Sequence, residues 1–404
     1  MEQAAHQAFV QVLRNMLHPA AAQPLPGDTD VAEVLKLAME QNVLPLVFEA
    51  LSSRPDTQAL AEFAAYKRET MMTVMGQMQR TQLFLQLYRA FDAAGLHPLV
   101  MKGIVCRALY GQWGDHRPSG DEDFLIRPAD FARVQAVFAQ QGYACALEDV
   151  DESKLALVQE VSFVHPMGLH VEVHINPMGH ENSLRRQMNG YFTAVFDRAI
   201  ALVCEGETVH AMSHTDHFLF LVCHALRHFT ASGFGLRQVL DILLYAEKYG
   251  AEMDWDYLKK IMEEIGALTF CADMMALGNE YLGFDLKGIA PSVCPEEMLR
   301  DLLLSGAYGN GTQEQVASGF VTGTAMEMHG ATAKGTLRKL LPTLDEMERR
   351  YPGMGGKWWL YPVCWVRLAV HFVMYRGKKV SEQSDESMQI ARRRMDLMKK
   401  YDIL

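Results

Sequence analysis

Apolar and polar positions along the chain fall into three regimes. Up to residue 95 the spacing is helical: Val31, Val34, Leu35 and Ala38 share one face, behind an Asp30/Glu33 pair with the form of a capping box. A longer helical pattern runs from Gln58 to Ala94 and stops at Gly95. From His97 to Asn176 the apolar runs shorten and alternate with turns. "HPLVM" predicts a strand, "GIVCRALYG" a short helix closed by Gly111, "GQWGDHRPSG" a loop and "DEDFLI" a second strand. Pro128 at a first helical position, Asp130 in the first turn and Gly142 after the end frame a helix over "ADFARVQAVFAQQ". "VSFVH", "PMG" and "LHVEVHI" predict a hairpin.

Helical spacing then returns. Ser213 with Asp216 opens "HTDHFLFLVCHALRHF", and further helices are expected over "LRQVLDILLYAEKYG" and "DWDYLKKIMEEIGALTFCADMMALGNEYLG". The pattern predicts an α+β protein in five parts. A helical region over 1–95 precedes a small mixed sheet over 96–210, and a helical bundle over 211–304 follows. A flexible Gly/Ala/Thr-rich connection over 305–336 leads to a helical tail over 337–404, expected to pack on the body. The last helix has Asp385 and Glu386 at its start and Lys399 and Lys400 at its end, matching the helix macrodipole.

Composition narrows the function classes. A hydrophobic fraction of 49% excludes general disorder, and 404 residues are enough for a sizeable shared core. The formal charge of −11 disfavours a nucleic-acid partner, which needs many neutralised phosphates. Seven cysteines without a CxxC pair suggest neither a disulfide framework nor a thiolate zinc site, and a reducing cytoplasm is expected. The start "MEQAAHQAFVQVLRNMLHP" lacks the pattern of a secretory leader. "WWLYPVCWVRLAVHFVMY" (358–375) is interrupted by Pro362, Arg367 and His371, so a buried amphipathic helix is expected there and no membrane partner.

The candidate chemistry lies in the middle regime. On a strand, Asp121 and Asp123 point to one face while Glu122, Phe124 and Ile126 point to the other. Two adjacent carboxylates repel unless a cation sits between them, and Mg²⁺ suits such oxygen ligands while keeping positions for phosphate. In "LHVEVHI", Val171, Val173 and Ile175 form an apolar face, and His170, Glu172 and His174 share the other. In "LVMKGIVCRALYG" a strand passes through Lys102 and Gly103 into a helix whose N-terminus would suit phosphate. Arg117 is a second candidate phosphate ligand, because its planar fork matches phosphate oxygens.

The motifs "VMKGIVCRALYG", "RPSGDEDFLI" and "HVEVHINP", in that order, resemble the DNA polymerase β-like nucleotidyltransferase superfamily. They are similar in particular to a bacterial uncharacterised nucleotidyltransferase family. "CHALRHFTASGFGLRQVLDILLY", "DWDYLKK" and "LPTLDEMERRYPGMGGKWWLYPVCWVR" are similar to the helical C-terminal part of that family. The resemblance implies a nucleotidyltransferase core with Asp121, Asp123 and Glu172 as catalytic metal ligands, and Lys102, Gly103 and Arg117 as nucleotide-phosphate contacts. It implies Mg²⁺ or Mn²⁺ as cofactor and a nucleoside triphosphate as substrate. A nucleoside monophosphate would pass to a hydroxyl of a small molecule or protein, with release of pyrophosphate. The chain departs from the wider superfamily in having Lys102 and Gly103 where Gly-Ser or Gly-Gly is usual, and in having Glu122 between the aspartates.

Two alternatives remain open. His217, His224 and His228 lie on one helix face, and an i, i+4 pair with Asp241 suggests a histidine-metal phosphohydrolase, although no His-Asp dipeptide or HExxH occurs. Under the family resemblance His174, His224, His228 and Arg237 would instead line the pocket. A non-catalytic nucleotide-binding module is the second alternative.

Overall fold

The computed structural model describes residues 2–27, 29–145, 155, 159–179, 183–231, 234–305, 358–367 and 385–403. The chain divides into two compact units, residues 1–228 with 234–310 and residues 229–233 with 311–404. The first unit is α+β and contains a seven-stranded sheet.

The N-terminal helices are α1 (Glu2–Leu17), α2 (Val31–Glu40), α3 (Leu44–Leu51), α4 (Pro55–Gln58) and α5 (Phe63–Ala93). Asp30 caps α2 by accepting from the Ala32 and Glu33 backbone N–H groups at 3.1 and 3.3 Å. The sheet strands are β1 (Leu99–Val100), β2 (Asp121–Leu125), β3 (Ala144–Cys145), β4 (Glu160–Val164), β5 (His170–His174), β6 (Ile200–Cys204) and β7 (Glu207–Ala211). Their order is β3-β4-β5-β2-β1-β7-β6. β2 with β5 and β1 with β7 are parallel and the other pairs antiparallel, so the sheet is mixed.

The alternation of β2 fixes its core. Phe124 is fully buried and meets Phe84, Tyr88 and Phe91 of α5 at ring distances of 5.4, 6.2 and 5.7 Å. Burying such a ring contributes about 2 kcal/mol, so this cluster seats the sheet against α5. Phe138 of α7 (Phe131–Gln140) stacks on Phe163 of β4 at 4.0 Å and extends the same layer. The Tyr88 hydroxyl donates to the Pro98 carbonyl and accepts from the His210 N–H, tying α5 to both β1 and β7.

Two expectations change in detail, and one holds. The short helix α6 spans Ile104–Arg107 and runs on in 3-10 turns to a kink at Gly111, whose φ of +56° is non-helical and closes this stretch as expected, before further 3-10 turns reach His116. The β6–β7 hairpin is an addition. Its turn, Glu205-Gly206, has both residues at positive φ, as a tight hairpin of this twist needs. The long helical stretch from Asp254 is broken at Gly266 (φ +68°) into α11 (Trp255–Glu264) and α12 (Leu268–Leu277).

Beyond the sheet, α8 (Ser183–Tyr191), α9 (His214–Ala231), α10 (Leu236–Tyr249) and α13 (Pro295–Ser305) complete the named helices. Ser213 and Asp216 cap α9 through the Asp216 N–H to the Ser213 hydroxyl at 3.1 Å. Of the second unit, residues 358–367 are helical, with Trp359, Val363 and Val366 exposed instead of buried. A helix over Asp385–Lys400 carries Lys399 and Lys400 in its last turn. The connection at 305–336 lies outside the described residues from 306 onward, as do 337–357 and the 368–375 end of the amphipathic segment. Among the described residues no helix is long and apolar enough to cross a membrane.

Candidate active site

Parallel pairing of β2 with β5 sets Asp121 beside His170 and Asp123 beside Glu172. Side chains on neighbouring strands at matched positions share a face, so two local alternations become one polar patch. Two overlapping sets of donor atoms result: Asp121, His170 and Glu172, and Asp123, Glu172 and His174. Within each set the atoms lie within 4.8 Å of one another.

The members differ in commitment. Asp123 is fully buried, with one oxygen 3.1 Å from the Lys102 ammonium and 3.0 Å from His174 Nε2. Burial opposes its ionisation, but the Lys102 charge and the His174 contact hold its carboxyl far below the usual range. Its second oxygen, Oδ2, is buried without a hydrogen-bond partner. Burial, with Asp123, Glu160 and Asp121 nearby, pushes Glu172 up to about 8. The Asp121 carboxylate and the His170 ring are half-buried and have no hydrogen bond or ion pair among the described residues.

An orphaned buried carboxylate oxygen beside an unpaired carboxylate, a glutamate crowded by other acids and an imidazole is a donor set that fits a divalent cation. Asp121, Asp123 and Glu172 would hold it, with the histidines alongside.

Lys102 stands between this patch and α9. Its ammonium is 3.4 Å from His224 Nε2, which lies 2.9 Å from His228 Nε2. Burial and the cations Lys102 and Arg227 hold both histidines in their neutral form, His224 well below its ordinary value and His228 at about 3. Burial also opposes the Lys102 charge, but Asp123 and Asp121 outweigh it and raise the lysine.

The Gly103 turn differs from an open phosphate cradle. Gly103 has φ +58°, and a Cβ there would overlap the Glu122 carboxylate. Glu122 is buried, accepts the Ile104 N–H at 2.9 Å and meets Arg107 Nη1 at 2.6 Å. That last contact is close but misses hydrogen-bond direction, so it acts through charge. Glu122 therefore occupies the first free N–H of α6, the group expected to face phosphate.

Arg117 is also committed elsewhere. Its Nε and Nη2 donate to the two Asp241 oxygens at 2.7 and 2.5 Å, and Tyr110 donates to the same carboxylate at 3.0 Å. Both partners are buried, so the expected phosphate role does not fit this placement of Arg117. The same bonds use Asp241, and among the described residues no metal-type cluster joins it to His224 and His228. The ligand set of the phosphohydrolase alternative is thus dispersed. Arg237, by contrast, donates to the Pro118 carbonyl and has no carboxylate in ion-pair range among the described residues; burial and nearby Arg117 oppose its charge, while Asp241 and, less strongly, Asp121 favour it.

Sequence reasoning missed the residues that aim the β2 entry. Gln77 of α5 accepts the Ser119 N–H at 3.0 Å, Arg80 donates to the Ser119 carbonyl at 2.8 Å, and the Ser119 hydroxyl donates to the Asp121 carbonyl at 2.8 Å. Polar residues inside a long helical pattern gave no signal of this. His170 was visible as a member of the polar face of its strand, and only the β2 register makes it a neighbour of Asp121.

A family model described as an uncharacterised nucleotidyltransferase matches residues 27–283, a span containing every residue of the patch. No curated protein and no solved structure matches.

Proposed function

The chain belongs to this nucleotidyltransferase family, and on that premise we propose that it moves a nucleoside monophosphate from a nucleoside triphosphate to an acceptor hydroxyl, releasing pyrophosphate. The observation that carries the proposal is the convergence of Asp121, Asp123 and Glu172 on one face of two parallel strands. A divalent cation held there supplies positive charge to the triphosphate and lowers the pKa of the attacking hydroxyl.

The chain's own residues divide the remaining work. Asp123, fixed by Lys102 and His174, is the rigid member of the set, and rigidity keeps reacting groups aligned. Asp121 and Glu172 face outward and offer oxygens where substrate arrives. Lys102 and Arg237 are the cations suited to the triphosphate, in place of the Arg117 contact and the open turn at Gly103 expected from sequence. Gly103 serves by admitting the Glu122 carboxylate, which braces the turn that carries Lys102. His174 positions Asp123, while His224 and His228 back Lys102 as neutral groups that do not compete for its carboxylate.

The acceptor class we propose is a hydroxyl on a small molecule or a protein side chain, because the overall charge of −11 does not suit an extended nucleic acid. The deciding experiment incubates the full chain with each labelled nucleoside triphosphate, Mg²⁺ or Mn²⁺ and a cell extract. Mass spectrometry then identifies what gains a nucleotidyl group. Label transfer that disappears in Asp121→Ala supports the proposal. Nucleotide binding by calorimetry with no transfer to any component would support a non-catalytic module.

A further inference from the structure

Two histidines flank the carboxylates on β5, and they are in different situations. His174 is 97% buried at its side chain, and its Nε2 is engaged with Asp123 at 3.0 Å while Nδ1 faces Glu160 at 3.7 Å. His170 is half-buried, stands beside Asp121 in the parallel register, and has no hydrogen bond or ion pair among the described residues. Its donor nitrogen shares a 4.8 Å cluster with oxygens of Asp121 and Glu172. A further oxygen, Asp123 Oδ2 on the same strand face, is buried and lacks a partner.

From this contrast we infer that the His170 imidazole is a metal ligand, so that the cation seat is a mixed nitrogen and oxygen site that prefers a divalent first-row transition ion to Mg²⁺. The inference rests on the proposed metal-binding role of the carboxylates and deepens it by fixing the ligand set and the class of cation. Mg²⁺ favours an all-oxygen octahedral shell that keeps several waters, and a neutral imidazole adds little to it. Transition ions accept imidazole together with carboxylate, and geometry and ligand type decide their selection. Asp121, Glu172 and His170 supply two oxygens and one nitrogen from adjacent strands, whose backbone pairing fixes their spacing. His174 serves one step behind, orienting Asp123 as partners of metal-binding groups commonly do.

The test uses Mn²⁺ as a spectroscopic probe on the full chain, read by pulsed EPR for coupling to imidazole ¹⁴N and by calorimetry against Mg²⁺. The expected result is nitrogen coupling in the wild type and in His174→Gln, and its loss in His170→Ala. Mn²⁺ affinity should fall at least about tenfold in His170→Ala, the scale set by loss of groups around metal sites, while Mg²⁺ affinity changes less. His170→Asp guards against a folding defect: it should bind cations with no nitrogen coupling and with its preference moved towards Mg²⁺. Mn²⁺ bound without nitrogen coupling in the wild type overturns the inference and leaves the proposed transfer reaction standing. So does coupling that survives in His170→Ala and vanishes in His174→Gln. Failure to bind any divalent ion overturns both the ligand assignment and the metal-dependent part of the proposed function.

Discussion

The two faces of β2 carry the same chemical group and put it to opposite uses. On one face of β2, Glu122 is buried against Arg107 and the Ile104 N–H, two residues from Phe124, whose ring packs on α5. On the other side, Asp121, Asp123 and Glu172 outnumber the cations available to them, and one buried oxygen has no partner. Neutralisation makes a carboxylate a brace, and incomplete neutralisation makes it a receptor for an external cation. Burial alone does not separate the two cases, since Glu122 and Asp123 are both inaccessible.

The sharpest way to break this comparison is to remove the brace. Glu122→Ala leaves Arg107 buried without its partner, and stability should fall by about 3–5 kcal/mol in denaturant unfolding. Gly103→Ala should resemble it, because the new Cβ needs the space of the Glu122 carboxylate at a φ that alanine disfavours.

Removing a receptor group should do the reverse. Asp121→Ala is expected to leave the unfolding free energy within about 0.5 kcal/mol of wild type and to lower nucleotidyl transfer at least about a hundredfold. An Asp121→Ala protein that unfolds easily but transfers normally would contradict the assignment of the two faces.

The two arginines extend the contrast. Arg237→Ala should raise KM for the nucleotide roughly tenfold, as for one charged hydrogen bond, with little loss of stability. Arg117→Ala should act chiefly through stability, because it strands Asp241 in the interior. Steady-state kinetics alongside thermal melts separates the two.

The smallest effect concerns pH. A Glu172 carboxyl raised to about 8 keeps a proton in the folded chain that the unfolded chain, near 4.5, releases. Stability of the metal-free protein should therefore fall as pH rises from about 4.5 to 8. Glu172→Gln should melt higher than wild type at pH 8, by on the order of 2 °C, and the two should coincide near pH 4. Added Mn²⁺ should remove the wild-type decline, because the cation replaces the proton.

Local pattern was enough for much of this. Alternation in "DEDFLI" and "LHVEVHI" put Asp121 with Asp123 and Glu172 with His170 and His174, because the strand period of two is a property of the backbone. The "PMG" turn paired β4 with β5 for the same reason of proximity. The hairpin "IALVCEGETVHA" is equally local, with an apolar run before Glu205-Gly206 and an alternating segment after it.

Local pattern along the chain sets which residues share a face and which helix ends are capped, since both follow from dihedral periodicity and hydrogen bonds a few residues long. Packing in three dimensions was needed to set β5 parallel to β2 with Asp121 at His170, to give Arg117 to Asp241 124 residues away, and to fill the turn at Gly103 with Glu122. These pairings connect segments separated by long stretches of chain. They are selected by the joint burial of rings and charges in one core, and no single segment contains that information.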